Sequence, residues 1–383
     1  MKDDIGIYIH IPFCKSKCYY CDFTSFVNRE DIIEKYVNSL CNEILQKAEL
    51  LSNLNIKTIY IGGGTPSFID EKYIKQILDT LYLFVCDKSK IEEITIEVNP
   101  GTCTKEKILN YKKYGINRIS LGVQSTHNDI LKNIGRIHKF EDVLNTLEYI
   151  KSANIDNVSV DLMYPLPGLT LKKFENTLDT IINLKDLYNI KHISIYNLEV
   201  HENSKLDFLL KEGFLSLPDE DEEYNMKQML EEKLNKAKFY KYEISNFAIK
   251  GYEAKHNFNY WKQKYYLGFG VAASSYMYST RYDNTKKIED YINKINNFED
   301  AVISSVQMDK LDTMKEYVIL NLRVVDGINI KDFKSKFKTD IFDIFKVEFE
   351  KLIKQGLINV SNTNIFLTPR GMEVANIVWQ EFI

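Results

Sequence analysis

The sequence predicts an α/β protein: a partial (β/α)6 barrel followed by a small C-terminal α+β unit resembling a winged helix. Through the first two-thirds of the 383 residues, short apolar runs alternate with amphipathic helical stretches. That alternation is the pattern of a parallel sheet with crossover helices. Past residue 300 the order changes to helices and then two short strand-like runs. Six βα units in about 240 residues fall short of the eight that close a full barrel, so one side is expected to stay open for a large ligand or a partner.

The six strand-like runs cover residues 5–11, 56–61, 93–98, 116–122, 157–163 and 192–198. Between the first two, residues 31–51 place Ile33, Tyr36, Val37, Leu40, Ile44, Ala48 and Leu51 at near-helical spacing, enough to bury one face. Thr104 is placed to cap a helix ending at Gly115, and Thr170 to cap a helix over 171–184. Pro218 followed by Asp219, Glu220, Asp221 and Glu222 opens another helix, with carboxylates beside its positive end. The division read from these patterns is a barrel over 1–238, an aromatic connector over 239–300 and a C-terminal unit over 301–383. In the last unit, 314–322, 340–355 and 371–382 read as helices, and 358–360 and 364–367 as strands.

Hydrophobic residues at 44% and charged residues at 27% are ordinary for a globular protein, and a net charge of −4 without basic blocks argues against a nucleic-acid partner. No 18-residue apolar run and no signal-peptide core are present, which points to the cytoplasm, where thiols stay reduced. Cys41, Cys86 and Cys103 read as structural.

Cys14, Cys18 and Cys21 are different. The spacing C-x3-C-x2-C brings three thiolates to a metal centre and leaves a fourth position unfilled. A [4Fe–4S] cluster usually takes four cysteines, so one held by three has an iron free to bind a small molecule. Zinc in a structural site wants four protein ligands, and no fourth Cys or His follows at a typical spacing; a zinc knuckle and three unrelated buried thiols are the plainer alternatives. The run resembles that of radical S-adenosylmethionine (SAM) proteins.

Other motifs sit where barrel strands end, the rim on which barrel sites are built. Gly62-Gly-Gly-Thr-Pro66 follows the second strand, and its glycines, Gly63 and Gly64 with Thr65 beside them, allow close backbone approach and expose amide donors. Glu97, in Glu97-Val-Asn-Pro100, ends the third strand and could meet ribose hydroxyls or an ammonium, or act only as a capping or salt-bridging carboxylate. Gln124 ends the fourth strand and Arg136 follows it; an amide and a guanidinium on one rim suit a carboxylate. Asp161 ends the fifth strand as a partner for an adenosine, and Tyr8 and Tyr20 flank the cysteines.

Taken in order, YIHIPFCKSKCYYCDF, GGGTP, EVNP, LGVQS, DLMYPLPGLT, YEISNFA, HNFNYW and the C-terminal LTPRG resemble the HemN/HemW branch of the radical SAM family over nearly the whole chain. That branch holds the oxygen-independent coproporphyrinogen III oxidase and a group of haem chaperones. The resemblance implies that Cys14, Cys18 and Cys21 ligate the cluster. It implies SAM contacts from Tyr8, Tyr20, Gly63, Gly64, Thr65, Glu97, Gln124, Arg136 and Asp161. Three features lean toward the chaperone group. Phe23 stands where the oxidase has a further cysteine, only 13 residues precede Cys14, and His256-Asn-Phe-Asn-Tyr-Trp261 matches the chaperone motif H-N-x-x-Y-W. The implied cofactors are the cluster, SAM and haem, with His256 as a candidate haem ligand and Tyr260, Trp261, Tyr265 and Tyr266 as flat apolar area; the plainer reading of His256 is a packed, hydrogen-bonded histidine. The implied partners are haem-acceptor proteins, peripherally met respiratory proteins of the membrane, and a second copy of the chain.

Two positions depart from the pattern: Ser274 replaces a family histidine, and Pro165 replaces a usual glycine. The alternative function is oxidative decarboxylation of coproporphyrinogen III. A methyltransferase or haem-degrading activity on the same scaffold, and a purely structural zinc protein, stand behind it.

Overall fold

The structure, a computed structural model, describes residues 2–383. Its centre is six parallel strands: β1 (Asp3–Ile11), β2 (Leu54–Gly63), β3 (Glu93–Val98), β4 (Arg118–Gln124), β5 (Val158–Tyr164) and β6 (Ile190–Asn197). They pair in chain order, each parallel to the next. These are the six runs expected from the sequence, shifted by at most two residues at their starts and ends.

Strand periodicity explains the barrel's two faces, since successive side chains point to opposite sides. Ile7, Ile9, Ile59, Ile61, Ile94, Ile96, Ile119, Leu121, Val158, Val160, Ile193 and Ile195 form one set, buried in the main core. The alternate set is polar: Tyr8 and His10, Tyr60, Thr95 and Glu97, Arg118 and Ser120, Ser159 and Asp161, His192 and Ser194. Its members bond one another from strand to strand, as in Tyr60–Glu97 (2.8 Å), Ser120–Asp161 (2.9 Å) and Ser159–His192 (2.8 Å). The interior of the barrel is therefore polar and the side toward the helices apolar.

Two crossover helices carry the expected caps: Thr104 accepts from the Lys107 amide and Thr170 from the Lys173 amide. The helix expected after Pro218 begins at Glu220, with Asp219 as its cap, accepting from the Glu222 amide. The expected helix over 31–51 is in fact two, Ile33–Gln46 and Ala48–Ser52, after a single 3-10 turn. It breaks where Gln46 bonds the Ile295 carbonyl and Lys47 pairs with Asp300, contacts that lie far along the chain. The final helix is likewise split at Val374, into Pro369–Glu373 and Ala375–Gln380.

Residues 239–300 add strands to the barrel sheet, with the helices Lys255–Trp261 and Ile288–Asn296 between them. The strands β7 (Tyr240–Lys241) and β8 (Asn246–Ala248) extend the barrel beyond β6. Then β9 (Tyr266–Phe269) pairs parallel with β1 and starts an antiparallel meander of β10 (Ser274–Met277), β11 (Thr280–Asn284) and β12 (Val302–Gln307). One open sheet of twelve strands results, in the order β12-β11-β10-β9-β1-β2-β3-β4-β5-β6-β8-β7. A second hydrophobic core begins at Met314 and ends at Phe382. It joins the helices Lys310–Asn321, Ile330–Phe337 and Ile341–Lys354 to a small sheet of β13 (Ile328–Asn329), β14 (Ile358–Val360) and β15 (Asn364–Leu367), the arrangement of a winged helix. The helix Ile330–Phe337 was not expected; its signal, an Asn329 cap and two buried phenylalanines, is only two turns long. Of the three cysteines expected to be structural, Cys41 and Cys103 are buried, but Cys86 is exposed, because its loop runs over the surface between a helix and β3.

Candidate functional site

The loop after β1 carries the three cysteines and folds back on the barrel. The amide of Cys14 bonds the Phe26 carbonyl, that of Phe26 bonds Pro12, and that of Tyr19 bonds Ile134. All six cysteines are free thiols. Burial pushes the Cys14 and Cys21 thiols up; Cys18 raises both, and Cys14 also raises Cys21. Burial likewise pushes the Tyr20 hydroxyl up, against the opposing pull of Arg136.

Four strand ends complete the rim. At the end of β2, the backbone amides of Gly63, Gly64 and Thr65 are all engaged within the protein, by Glu97 (3.2 Å), Ile11 (2.8 Å) and Phe13 (2.9 Å). These three amides are therefore spent on the protein. The glycines serve close approach: a Cβ at Gly64 would lie 3.0 Å from the Cys14 sulfur, and one at Gly63, where φ is +113°, would lie 2.6 Å from the His10 ring. His10 cannot give way, since its nitrogens are held by Tyr8 (2.9 Å) and the Thr24 carbonyl (2.9 Å). Gly63→Ala is therefore expected to displace the cysteine loop through Thr24, with strain of about 1–3 kcal/mol. Iron content after anaerobic reconstitution is the check: it drops well below wild type, and a fully loaded variant would count against this packing argument.

At the end of β3, Glu97 accepts from Tyr60 (2.8 Å) and from Gly63, and burial, reinforced by Asp161, raises its carboxyl to about 7. At the end of β4, Gln124 takes a left-handed φ of +65° and its buried Oε1 has no hydrogen-bond partner. Arg136 donates from Nη1 to the Cys18 sulfur (3.4 Å) and from Nη2 to Asn99 (2.9 Å) and the Gly122 carbonyl (2.5 Å), while its buried Nε is unpartnered. On β5, Asp161 accepts from Ser120 and Ser159; burial raises it, and serines including Ser194 hold it back. Tyr8 stacks on Tyr60 inside the barrel, with ring centroids 6.3 Å apart.

His256 lies elsewhere. It is buried beneath β1 and β2, with Nδ1 2.8 Å from the Thr58 hydroxyl and Nε2 2.7 Å from the Tyr260 hydroxyl. Both ring nitrogens are committed, and burial lowers its pKa to about 3. In this conformation neither nitrogen offers a lone pair to a porphyrin. Asn99, Tyr60 and Ser120 were missed in the sequence. Asn99 stands in the quoted run EVNP, two residues past the carboxylate that drew attention there.

The donor chemistry suits a cluster, which cysteine thiolates hold: all three cysteines are unbridged and Arg136 donates to one of them. Among the described residues, no three His, Cys, Asp or Glu side chains converge on a single-ion site. Beside the thiols, the orphaned Gln124 Oε1 and Arg136 Nε leave hydrogen-bonding capacity for a polar ligand.

An open parallel barrel with three unbridged thiols beside a polar strand-end rim defines the class of radical SAM barrels. Comparison with known proteins places the chain within it. The profile of the radical SAM superfamily matches residues 8–181, and that of the HemN C-terminal domain matches residues 308–374. Heme chaperone HemW of Bacillus subtilis is 34% identical over 376 residues, spanning 98% of each chain. Heme chaperone HemW of Lactococcus lactis is 34% identical over 376 residues, covering 98% of this chain and 96% of its own. The solved structure of the Escherichia coli coproporphyrinogen III oxidase HemN superposes with a TM-score of 0.86 at 22% identity, over 100% of this chain and 90% of that one, and shares its fold. The chain belongs to the HemW family of radical SAM proteins. Membership of the superfamily implies a [4Fe–4S] cluster and SAM. No helix among the described residues is long and apolar enough to cross a membrane.

Proposed function

We propose that the protein is a haem chaperone, binding haem and passing it to acceptor proteins, with a cluster on Cys14, Cys18 and Cys21. In this reading SAM is met by Tyr8, Tyr20, Gly63, Gly64, Thr65, Glu97, Gln124, Arg136 and Asp161. The cluster, when bound, supplies one-electron chemistry and an open iron site; the chain's own groups orient the ligand. Arg136 takes its carboxylate end, Gln124 meets that carboxylate through Nε2 or a donor through its unpartnered Oε1, and Glu97 and Asp161 take its hydroxyls or ammonium. Residues 1–238 hold this site, 239–300 wall the haem site, and 301–383 close its far side.

The observation that carries the haem reading is a cleft of about 780 Å³ running from the cysteine loop to the C-terminal unit. Ligand pockets commonly span about 300–1,000 Å³. One end is Asp22, Phe23 and Thr24 beside Tyr8 and His10; the other is Leu320 and Glu316. Tyr260, Trp261, Tyr266 and Tyr276 supply the flat walls. Lys264 and Lys286 line it as exposed cations with no ion pair among the described residues, suited to propionates. Tyr260 stands between the cleft and His256, so ligation by His256 requires that tyrosine to move. The reading extends to respiratory acceptors at the membrane and to a homodimer.

Anaerobic turnover tests it. Reconstituted protein is given SAM, a strong reductant and coproporphyrinogen III, and a parallel sample is titrated with haem. The expected result is a stoichiometric haem complex and no decarboxylated porphyrinogen. Decarboxylation read by mass spectrometry would make the protein an oxidase and overturn the chaperone reading.

A further inference from the structure

Resting on the cluster assignment above, we infer that Asn99 is a positioning residue that ties Arg136 to Thr65, and that this linked set of hydrogen bonds to two cysteine sulfurs sets the reduction potential of the cluster.

The geometry is a single chain with a cysteine sulfur at each end. Arg136 Nη1 lies 3.4 Å from the Cys18 sulfur, and Thr65 Oγ1 lies 3.5 Å from the Cys14 sulfur. Asn99 joins them: its Oδ1 accepts from Arg136 Nη2 at 2.9 Å, and its Nδ2 donates to Thr65 Oγ1 at 2.8 Å. The orientation of the amide is forced, because a guanidinium can only donate and must meet the oxygen. That leaves the amide nitrogen for Thr65. With a lone pair of Thr65 Oγ1 occupied in this way, its own proton is free to point at Cys14. Asn99 is itself held by its backbone amide, which donates to Ser67 Oγ at 3.0 Å. The Gly122 carbonyl grips the same Nη2, so the guanidinium plane is fixed with Nη1 toward Cys18.

Hydrogen bonds to cluster sulfurs, and a cation beside them, favour the more negative reduced state and raise the potential. A network that touches Cys14 and Cys18 but has its keystone just past the end of β3 makes Asn99 a lever on both sulfurs while touching neither. Asn99→Ala removes the tie, loosening Arg136 and freeing the Thr65 hydroxyl to turn away. Asn99→Asp does more: its second oxygen accepts the Thr65 proton, withdrawing it from Cys14, and it adds a negative charge.

The test is a potentiometric titration of the reconstituted full-length protein without SAM, read by electron paramagnetic resonance, with iron and sulfide measured on each sample. At the wild-type midpoint, Asn99→Ala is expected to lower the reduced-to-oxidised ratio about tenfold, equivalent to about 59 mV for one electron. Asn99→Asp is expected to lower it further, and Thr65→Ser to keep the wild-type midpoint. A ratio within twofold of wild type in either Asn99 variant at full iron content would overturn the inference. If the Asn99 variants fail to load, Thr65→Val carries the same test, with the same downward shift expected and an unchanged midpoint overturning it. Wild-type protein that takes up no iron would instead sink the cluster assignment, a separate failure.

Discussion

Cys18→Ala yields a folded protein that holds no cluster: iron and acid-labile sulfide fall to background after anaerobic reconstitution, while the far-ultraviolet circular dichroism stays that of wild type. The two halves of this expectation have separate physical grounds. A cluster needs each of its thiolates, and three is already one fewer than the usual set. The fold does not need this one. The Cys18 side chain is half-buried in the loop after β1, outside the main core, and its thiol accepts a hydrogen bond from Arg136. The loop is held by backbone bonds from Cys14, Tyr19 and Phe26 to Phe26, Ile134 and Pro12, none of which uses the Cys18 side chain. Full iron and sulfide in the variant would remove the cluster from these residues.

Glu43→Ala is expected to cost about 3–5 kcal/mol of unfolding free energy, a far larger loss than Glu43→Gln, as read by denaturant titration. Glu43 is a buried carboxylate in the helix Ile33–Gln46 that accepts from the Gly270 amide (2.8 Å), Asn284 Nδ2 (2.8 Å) and the Tyr291 hydroxyl (2.7 Å). Truncation strands these donors away from water, and they belong to the segments that hold β9, β10 and β11 against the barrel. A cost under about 1 kcal/mol would mean that the extension is held by other contacts. The same residue carries a pH signature. Burial raises its carboxyl from 4.5 to about 7. The native protein therefore keeps a proton that the unfolded chain releases near 4.5. Its contribution to stability is fully present below 4.5, declines as pH rises toward about 7, and is lost above it. Glu43→Gln flattens that part of the stability profile.

Much of the barrel was legible because its signal is local. Six apolar runs separated by amphipathic helices already imply six parallel strands, and Thr104 and Thr170 cap helices where their side chains predict. The cysteine spacing, the glycine run and the strand-end polar residues could be read for the same reason: each lies in a short contiguous motif. The segment 239–300 was not legible as sheet. Its strands are two to five residues long, and the two that attach it to the barrel, β9 and β8, pair with β1 and β6, strands 50 to more than 200 residues away in the chain, so no local period announces them. The break at Lys47 arose in the same way, from bonds to Ile295 and Asp300.

By itself, the sequence determined the fold class, the three thiols that could hold a cluster and the polar residues at the strand ends, because backbone propensity, side-chain alternation and ligand spacing act over a few neighbours. The tertiary structure alone decided three things. The glycine amides are spent on the protein, His256 is locked between Thr58 and Tyr260, and Asn99 links two of the cysteine sulfurs. The reason is the short range of a hydrogen bond. Whether a donor faces a ligand, another side chain or a sulfur depends on atoms within about 3.5 Å, and those atoms come from distant parts of the chain.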